Sequence, residues 1–191
     1  MTWSHDFTAL SDDCGATGSA TVTFTATDEC GNSSETTATF TIEDTTPPTI
    51  DVEAEDLTVE CDGNGNNNEL WNWIENQGGA DASDICGSVT WTHDFTELSD
   101  DCGATGTATV TFTATDECGN TSSTTATFTI EDTIPPAIDP EAQDMTVECD
   151  GNGNPTDLQN WLDSNGGASA TDICGSVTWT NDFQFLTDDC G

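Results

Sequence analysis

Apolar residues and threonines alternate strictly between residues 106 and 115. Ala108, Val110, Phe112 and Ala114 occupy one set of alternate positions, and threonines fill the positions between them. A period of two predicts half-buried β-strands with one apolar face on a core and one threonine-rich face in solvent. The segments that favour further strands on the same grounds are 124–130 (TTATFTI), 88–95 (SVTWTHDF) and 57–60 (LTVE).

One segment departs from this alternation. In residues 67–79, Leu70, Trp73 and Ile74 recur at helical spacing, and a pair of glycines ends the run. The pattern predicts a short helix near 68–77 and a second near 156–165, where Thr156 and Gln159 form a capping-box pair. We interpret Trp73 and Trp161 as core residues, because they recur within the apolar stripe of each helix.

The chain repeats itself with a period of 88 residues. Cys14 recurs as Cys102 and Cys190, and the phrase TATDECGN occurs at 25–32 and again at 113–120. This period suits small domains in series and is too long for a solenoid repeat. We therefore predict the C-terminal half of one copy (1–44), a complete copy (45–132) and the N-terminal part of a third (133–191), drawn from a longer array.

Charge narrows the choice of partners. The chain has 37 acidic residues and neither Lys nor Arg, which gives a formal charge of −37. Such a charge disfavours nucleic acid and anionic membranes as partners, and the compact state repels itself unless counterions bind. The sequence also contains no apolar run long enough to cross a membrane.

The cysteines favour an extracellular location. The complete copy has four cysteines, spaced too widely for a zinc site, and such a framework is typical of disulfide-bonded extracellular domains. Residues 1–7 (MTWSHDF) have neither the basic start nor the apolar run of a signal peptide. We expect the secretion signal to be encoded outside this segment.

The segment ATDECGNTSSTTATFTIEDTIPPAI resembles the end of one hyalin-type (HYR) repeat running into the next, and TVECDGNGN with the following helix is similar to a variant found in giant surface proteins of Bacteroidota. The resemblance covers the whole chain. It implies an all-β fold: tandem immunoglobulin-like β-sandwich repeats in cell-surface or secreted proteins, without an implied activity. The short helix in each copy departs from many such repeats.

Immunoglobulin-like strand directions suggest a disulfide pattern. The strand 106–115 carries Cys102 and Cys118 at opposite ends and spans roughly 33 Å, too far for a bridge between them. Cys86 and Cys118 should share the end where the chain enters the domain, and Cys61 and Cys102 the end where it leaves. We predict Cys86–Cys118, Cys61–Cys102 and, by repetition, Cys149–Cys190, with Cys61–Cys86 as the main rival.

The acidic residues predict calcium at the junctions between copies. Asp62-Gly63-Asn64-Gly65-Asn66 places short oxygen ligands close together, as in the first half of a calcium loop, and the motif recurs at 150–154. Acids from the linkers and neighbouring loops complete the set, and hard oxygen ligands favour Ca²⁺. The alternative is that the acids only solvate the loops. The predicted ligands are Asp12, Asp13, Asp28, Glu43, Asp44, Asp62, Asn64, Asn66, Asp84, Asp100, Asp101, Asp116, Glu131, Asp132, Asp150, Asn152, Asn154, Asp172, Asp188 and Asp189.

Four positions match glycosylation patterns. Asn32 and Asn120 begin N-glycosylation sequons in a predicted turn. Thr45 and Thr133 follow aspartates in segments that look like the short O-glycosylation motif of Bacteroidota.

The sequence contains no pattern that favours an enzyme. Its two histidines, His5 and His93, occupy one repeat position, which the third copy fills with Asn181. We predict instead a structural repeat of an extracellular, calcium-stabilised stalk, adhesin shaft or fibre, whose partners are calcium ions and further copies of the repeat. A surface that binds glycan or ice through its threonine rows is the alternative. A third hypothesis is that the acids hold water in high salt.

Overall fold

A computed structural model of the chain describes residues 1–187. These residues are rich in β-strands and contain two short α-helices. They divide into two compact units. Unit 1 comprises Met1–Leu57, Asn68–Glu97 and Ala108–Phe128, and unit 2 comprises Thr58–Asn67, Leu98–Thr107 and the chain from Thr129 onward.

Eleven strands are present in the described residues. They are β1 (Thr2–His5), β2 (Gly18–Thr27), β3 (Ser33–Ile42), β4 (Thr49–Val52), β5 (Leu57–Glu60), β6 (Asp81–Ser83), β7 (Thr90–His93), β8 (Gly106–Thr115), β9 (Thr121–Glu131), β10 (Ala137–Ile138) and β11 (Ala170–Thr171). The larger sheets have the orders β1-β2-β3 and β5-β9-β8-β7, and β4 pairs with β6 and β10 with β11. The predicted strands at 57–60 and 106–115 are confirmed with the same bounds, and those at 88–95 and 124–130 are confirmed with ends that differ by one to three residues.

The elements recur with the sequence period. Strand β2 begins 88 residues before β8, and β1 pairs with β2 in the register that β7 uses with β8, Thr2 opposite Thr27 and Thr90 opposite Thr115. Two strands have no counterpart in the third copy, because residues 145–148 and 178–181 form no strand. The third copy is therefore less regular than the complete one.

The alternating residues of β8 pack as predicted. Val110, Phe112 and Ala114 are fully buried, and the threonines between them are less so. Phe128 on β9 is buried as well, and the edge of the Trp73 ring approaches Phe112, with 5.3 Å between ring centroids. Burying each such aromatic side chain contributes about 1.5–3 kcal/mol.

Helix α1 (Asn67–Glu75) confirms the predicted helix, and α2 (Pro155–Asp163) repeats it. The buried residues of α1 are Leu70, Trp73 and Ile74. The Trp73 indole nitrogen donates to the Glu55 carbonyl at 2.9 Å. The core interpretation of Trp73 is confirmed, whereas that of Trp161 is wrong, because Trp161 is only half-buried and α2 has no buried residue. Trp71, next to this buried stripe, is 47% exposed.

The predicted capping box at α2 is wrong. The helix begins at Pro155, one residue before Thr156, and its N-cap Asn154 makes no side-chain capping bond. Gln159 does not reach back to the helix start, because its amide donates to Asp163 at 2.7 Å. Proline at the first helical position needs no partner for a backbone N–H, which explains why the helix starts there.

No helix within residues 1–187 is long and apolar enough to cross a membrane.

Candidate functional site at the junctions between copies

The first junction, between copies 1–44 and 45–132, lies within unit 1 and contains a disulfide. Cys14 in the turn before β2 is bonded to Cys118 in the turn between β8 and β9, with a Cα–Cα distance of 5.2 Å. The turn around Cys14 is fixed by Thr17, whose hydroxyl donates to the Cys14 carbonyl at 2.7 Å. This bond fixes a turn of one copy against a turn of the next.

The same turn also rests on the Cys86 loop. The Ala16 N–H donates to the Cys86 carbonyl at 2.8 Å. Gly15 has a φ of +56°, and a Cβ at this position would collide with that carbonyl. Glycine is therefore required both by the backbone conformation and by the close approach.

The second junction, between copies 45–132 and 133–191, lies within unit 2 and repeats this contact. The Ala104 N–H donates to the Cys174 carbonyl at 2.9 Å, and Gly103, with a φ of +62°, approaches the same group. Its disulfide is a different one, Cys61–Cys174, with a Cα–Cα distance of 6.1 Å. Each junction thus has the same loop contact and one covalent cross-link.

The predicted disulfide pairs are wrong. Cys118 is bonded to Cys14 instead of Cys86, and Cys61 is bonded to Cys174 instead of Cys102 or the rival partner Cys86. The prediction assumed that bridges close within a copy. In the structure Cys86 and Cys118 both face the preceding copy, and Cys61 and the Cys102 turn both face the following one, so the bonds cross the junction. Cys149–Cys190 lies outside the described residues, since Cys190 is not among them.

Four of the described cysteines have no bonded partner, namely Cys30, Cys86, Cys102 and Cys149. Cys86 is half-buried, whereas the other three are exposed. Burial raises the pKa of the Cys86 thiol, and the nearby carboxylates of Asp44, Asp84 and Asp116 raise that pKa further. The thiol of Cys86 is thus held protonated and poorly nucleophilic.

Two of the predicted metal ligands meet at the first junction. Carboxylate oxygens of Asp44 and Asp84 and the Cys86 sulfur all lie within 4.8 Å of one another. Each carboxylate accepts a hydrogen bond from the backbone N–H two residues later in the chain. Asp44 accepts from Thr46 at 3.0 Å, and Asp84 accepts from Cys86 at 2.7 Å. A hard cation would use the carboxylate oxygens, which calcium prefers to a protonated thiol.

At the second junction the equivalent acids face a common cavity. Asp132 and Asp172 line one cavity of about 290 Å³, together with Glu60, Cys61 and Cys174. The Asp172 carboxylate accepts from the Cys174 N–H at 2.8 Å, as Asp84 does from Cys86. A linker aspartate and an entry-loop aspartate thus line a shared cavity at the second junction, whereas only the first junction brings such a pair within 4.8 Å of a third ligand atom among the described residues.

The Asp62–Asn66 loop closes on itself. One Asp62 oxygen accepts from the N–H groups of Asn64 and Asn66 at 2.7 and 3.0 Å. The buried Asn66 side chain accepts from the Asp62 N–H and donates to the Glu60 carbonyl at 2.9 Å. Asp150 and Asn154 form the same bonds one period later. These bonds tie the backbone of the loop to its own Asp and Asn side chains.

Asp116 and Asp28 also hold turns. The Asp116 side chain, 6% exposed, accepts from the Cys118 and Asn120 N–H groups and from the Asn120 amide. Burial raises its pKa, but these hydrogen bonds outweigh burial and hold the pKa below the usual range. Asp28 makes the equivalent bonds with Cys30 and Asn32.

The remaining predicted ligands do not belong to the group that Asp44, Asp84 and Cys86 form at the first junction. Their side chains are exposed, and Asp101 accepts from the Ser99 hydroxyl at 3.2 Å. These residues are Asp12, Asp13, Glu43, Asn64, Asp100, Asp101, Glu131 and Asn152. Asp188 and Asp189 lie outside the described residues.

The predicted glycosylation positions differ in their surroundings. Asn32 and Thr45 are exposed. The Asn120 amide donates to the Asp44 carbonyl and to Asp116, and the Thr133 hydroxyl donates to Glu60 at 2.7 Å. A sugar on Asn120 would therefore break the bond that links the turn to the linker at Asp44 and the bond to Asp116 within the turn.

Sequence reasoning missed Cys14 and Cys174 as cross-link partners. The sequence repeat contained a sign of these cross-links, because the cysteines of each copy lie near both of its ends. No family model matches the chain, and no curated protein matches its sequence.

Proposed function

We propose that this chain is a structural repeat of an extracellular stalk, adhesin shaft or fibre, in which successive copies are joined by disulfides and bind calcium. The observation that carries the proposal is the position of the two disulfides. Both join one 88-residue copy to the next, so a pulling force would pass from copy to copy through covalent bonds as well as through the linker. Stable disulfides are typical of extracellular proteins.

The architecture that we propose for each copy is an immunoglobulin-like β-sandwich of the hyalin-repeat type. The strand-rich fold, the return of the same strands and helix after 88 residues, and the motifs shared with such repeats support it. A small domain with cross-linked ends suits a shaft, because its role is to resist extension.

Calcium is the second part of the proposal. Asp44 and Asp84, which meet at the first junction, and Asp132 and Asp172, which line one cavity at the second, supply hard oxygen ligands. The chain contains no Lys or Arg to neutralise them. Bound calcium would replace repulsion between the linker and the entry loop by attraction to one ion.

Calcium removal tests this part. At a hundredfold excess over the dissociation constant, one calcium site stabilises the folded state by about 2.7 kcal/mol. We expect chelator to lower the melting temperature of the wild type. In the double variant Asp132→Asn/Asp172→Asn, chelator should lower the melting temperature by less. Asp144→Asn, an exposed acid outside the junctions, is the matched control and should leave the effect of chelator unchanged. If calorimetry detects no calcium binding, or if sodium chloride gives the same stabilisation, the acids serve only in solvation.

An alternative role as a glycan- or ice-binding surface rests on the threonine rows. Thr21 and Thr39 lie on neighbouring strands with exposed side chains, and their hydroxyls hydrogen-bond to each other at 2.8 Å. Thr109 and Thr127 repeat the pair at 3.0 Å. Inhibition of ice recrystallisation, or retention on a glycan array, would support this alternative over a purely structural role.

A further inference from the structure

The chain contains three Asn-Gly dipeptides, Asn64-Gly65, Asn152-Gly153 and Asn165-Gly166. In such a pair the backbone nitrogen of the glycine can attack the side-chain carbonyl carbon of the asparagine, because glycine has no Cβ to block the approach. The attack is intramolecular, and two groups held in contact react far faster than the same groups free in solution. The three dipeptides have the same chemistry, so their surroundings in the fold decide which one reacts.

The dipeptide Asn165-Gly166 is enclosed. Gly166 is buried, and a Cβ there would lie 3.1 Å from the Ala142 methyl carbon and 3.4 Å from the Trp161 indole nitrogen. The Gly166 carbonyl also accepts from the Gln143 N–H at 2.9 Å. Ring closure would have to rotate this peptide and add a tetrahedral carbon beside it, and close packing resists such a movement.

The other two dipeptides lie in open copies of one loop. Asn64 and Asn152 are exposed. A Cβ on Gly65 would have only the Asn67 amide nitrogen within 4 Å, at 3.9 Å, and a Cβ on Gly153 would have no described atom within 4 Å beyond its chain neighbours. Both asparagines therefore have room to form the ring.

The hydrogen bonds within the two loops are also alike. The Asp62 carboxylate accepts from the Asn64 N–H at 2.7 Å, and the Asp150 carboxylate accepts from the Asn152 N–H at 2.7 Å. Each of these carboxylates also faces the N–H of the glycine that would react. The carboxylate therefore affects the reacting nitrogen in the same way at both positions.

One hydrogen-bond donor distinguishes the two loops. The Asn67 side-chain amide donates to the Asn64 carbonyl at 2.7 Å. In the third copy Pro155 occupies this position and has no donor. The reacting glycine nitrogen must first lose its proton, and the resulting negative charge is shared with the carbonyl oxygen of the same peptide. A donor on that oxygen stabilises the charge as an oxyanion hole does.

We propose that Asn64 is a site of spontaneous deamidation, which the fold promotes through Asn67. A base from the solvent removes the Gly65 amide proton, and the nitrogen bonds to the Asn64 Cγ. The Cγ–N bond of the side-chain amide then breaks, and this nitrogen takes a proton from water and leaves as ammonia. Water opens the resulting succinimide ring. Attack at Cγ gives aspartate, and attack at the main-chain carbonyl carbon gives isoaspartate, whose peptide bond runs through Cγ.

The modification would change a loop that rests on the following copy. A Cβ on Gly63 would lie 2.6 Å from the Ile173 carbonyl, so the backbone of the loop approaches the entry loop of that copy closely. Asn66 of the same loop donates to the Glu60 carbonyl at 2.9 Å, next to the disulfide-bonded Cys61. Isoaspartate would add a methylene group to the main chain between these two contacts, together with one negative charge. We therefore expect it to weaken the second junction.

Ageing of the full chain in mildly alkaline buffer tests the site. Digestion with pepsin in acid stops further reaction, and mass spectrometry then follows the three Asn-Gly peptides. We expect Asn64 to deamidate about two- to tenfold faster than Asn152, the factor that one ordinary hydrogen bond gives to a rate, with Asn165 the slowest. A mixture of aspartate and isoaspartate at Asn64 would support the succinimide route, whereas aspartate alone would overturn it.

Two variants isolate the donor. Asn67→Ala should slow Asn64 to the rate of Asn152, and Pro155→Asn should speed Asn152, while the unaltered loop serves as the internal standard in each variant. Unfolding in urea with reductant is a further control: both loops have the sequence DGNGN, so Asn64 and Asn152 should then react equally fast. The proposal fails if the two rates are equal in the folded chain, if the faster rate of Asn64 persists in urea or in Asn67→Ala, or if Asn165 reacts first.

A stability measurement tests the effect on the junction. In a background with Asn152→Gln and Asn165→Gln, the aged fraction that contains isoaspartate should melt about 2–4 °C lower, the shift expected for the loss of about one hydrogen bond in a chain of this size. Asn64→Gln in the same background is the matched control and should keep its melting temperature, because a glutamine closes the larger ring much more slowly. Equal changes in the two chains, or no change in either, would overturn the effect on the junction. All samples contain chelator, so the result does not depend on calcium binding.

Discussion

At the scale of single residues, aspartates shape the turns through their own hydrogen bonds. Backbone N–H groups of Asn66 and Asn64 hold the pKa of Asp62 below its usual range, and Asn152 and Asn154 do so for Asp150. A carboxylate that accepts two such bonds is held in place by its own loop. The acidic composition of the chain therefore serves local structure as well as charge.

The lowered pKa of Asp62 predicts a pH dependence. Its folded pKa lies below the unfolded one, so the contribution is present above about pH 4 and is lost as pH falls through the folded pKa. We expect Asp62→Asn to be less stable than the wild type at neutral pH, and the difference to vanish in acid. Urea unfolding at a series of pH values measures this. A difference that persists at low pH would point to packing of the loop instead.

Gly15 makes a second prediction at this scale. Gly15→Ala and Gly31→Ala both place a Cβ at positive φ, which costs about 1 kcal/mol. Only Gly15 faces the Cys86 carbonyl, whereas Gly31 has no neighbouring atom within 4 Å. Thermal unfolding should therefore show a clearly larger loss for Gly15→Ala. Equal losses would mean that the turn moves away from Cys86 without cost.

At the scale of elements, helix α1 is held by one face. Trp73 is 7% exposed and contacts Phe112 and Phe128. Trp71 is half exposed and contacts Phe95 edge-on, with 5.9 Å between the ring centroids. The helix is too short to be stable alone, so packing must hold it on the sheet.

We expect Trp73→Ala to lower the free energy of unfolding by about 3–5 kcal/mol, because it leaves a cavity between helix and sheet and an unpaired Glu55 carbonyl. Trp71→Ala is the matched control on the same helix and should cost about 1 kcal/mol or less. Chemical denaturation measures both. Comparable losses for the two tryptophans would contradict the assignment of the buried face.

At the scale of the whole chain, the disulfides close long loops. Cys14–Cys118 spans 104 residues and Cys61–Cys174 spans 113. In the chain-entropy model, closing a loop of 100 residues stabilises the folded state by about 4.7 kcal/mol. Cross-links of this length restrict the relative motion of two copies in the unfolded state as well as in the folded one.

Cys61→Ser should therefore lower the free energy of unfolding of the oxidised chain by a few kcal/mol. This loss should equal the loss that follows when reductant breaks the Cys61–Cys174 bond of the wild type. Cys30→Ser, at an exposed and unpaired cysteine, is the control and should change stability by about 0.5 kcal/mol or less. If Cys61→Ser leaves the melting temperature unchanged in the absence of reductant, the bond between the copies does not stabilise the fold.

The sequence by itself determined the long strands, the helices and the 88-residue period, because alternation and helical spacing are local patterns, but it did not show that residues 145–148 and 178–181 of the third copy form no strand. It also indicated that Asp44 and Asp84 would meet, since linker and entry loop adjoin in any tandem array. Which cysteines bond was decided only by the tertiary structure. Chain directions place two cysteines at each end of a copy, but only the docking of the Cys14 turn on the next copy brings Cys14 to Cys118. A bond across a junction depends on the position of two turns in space, and no local pattern encodes it.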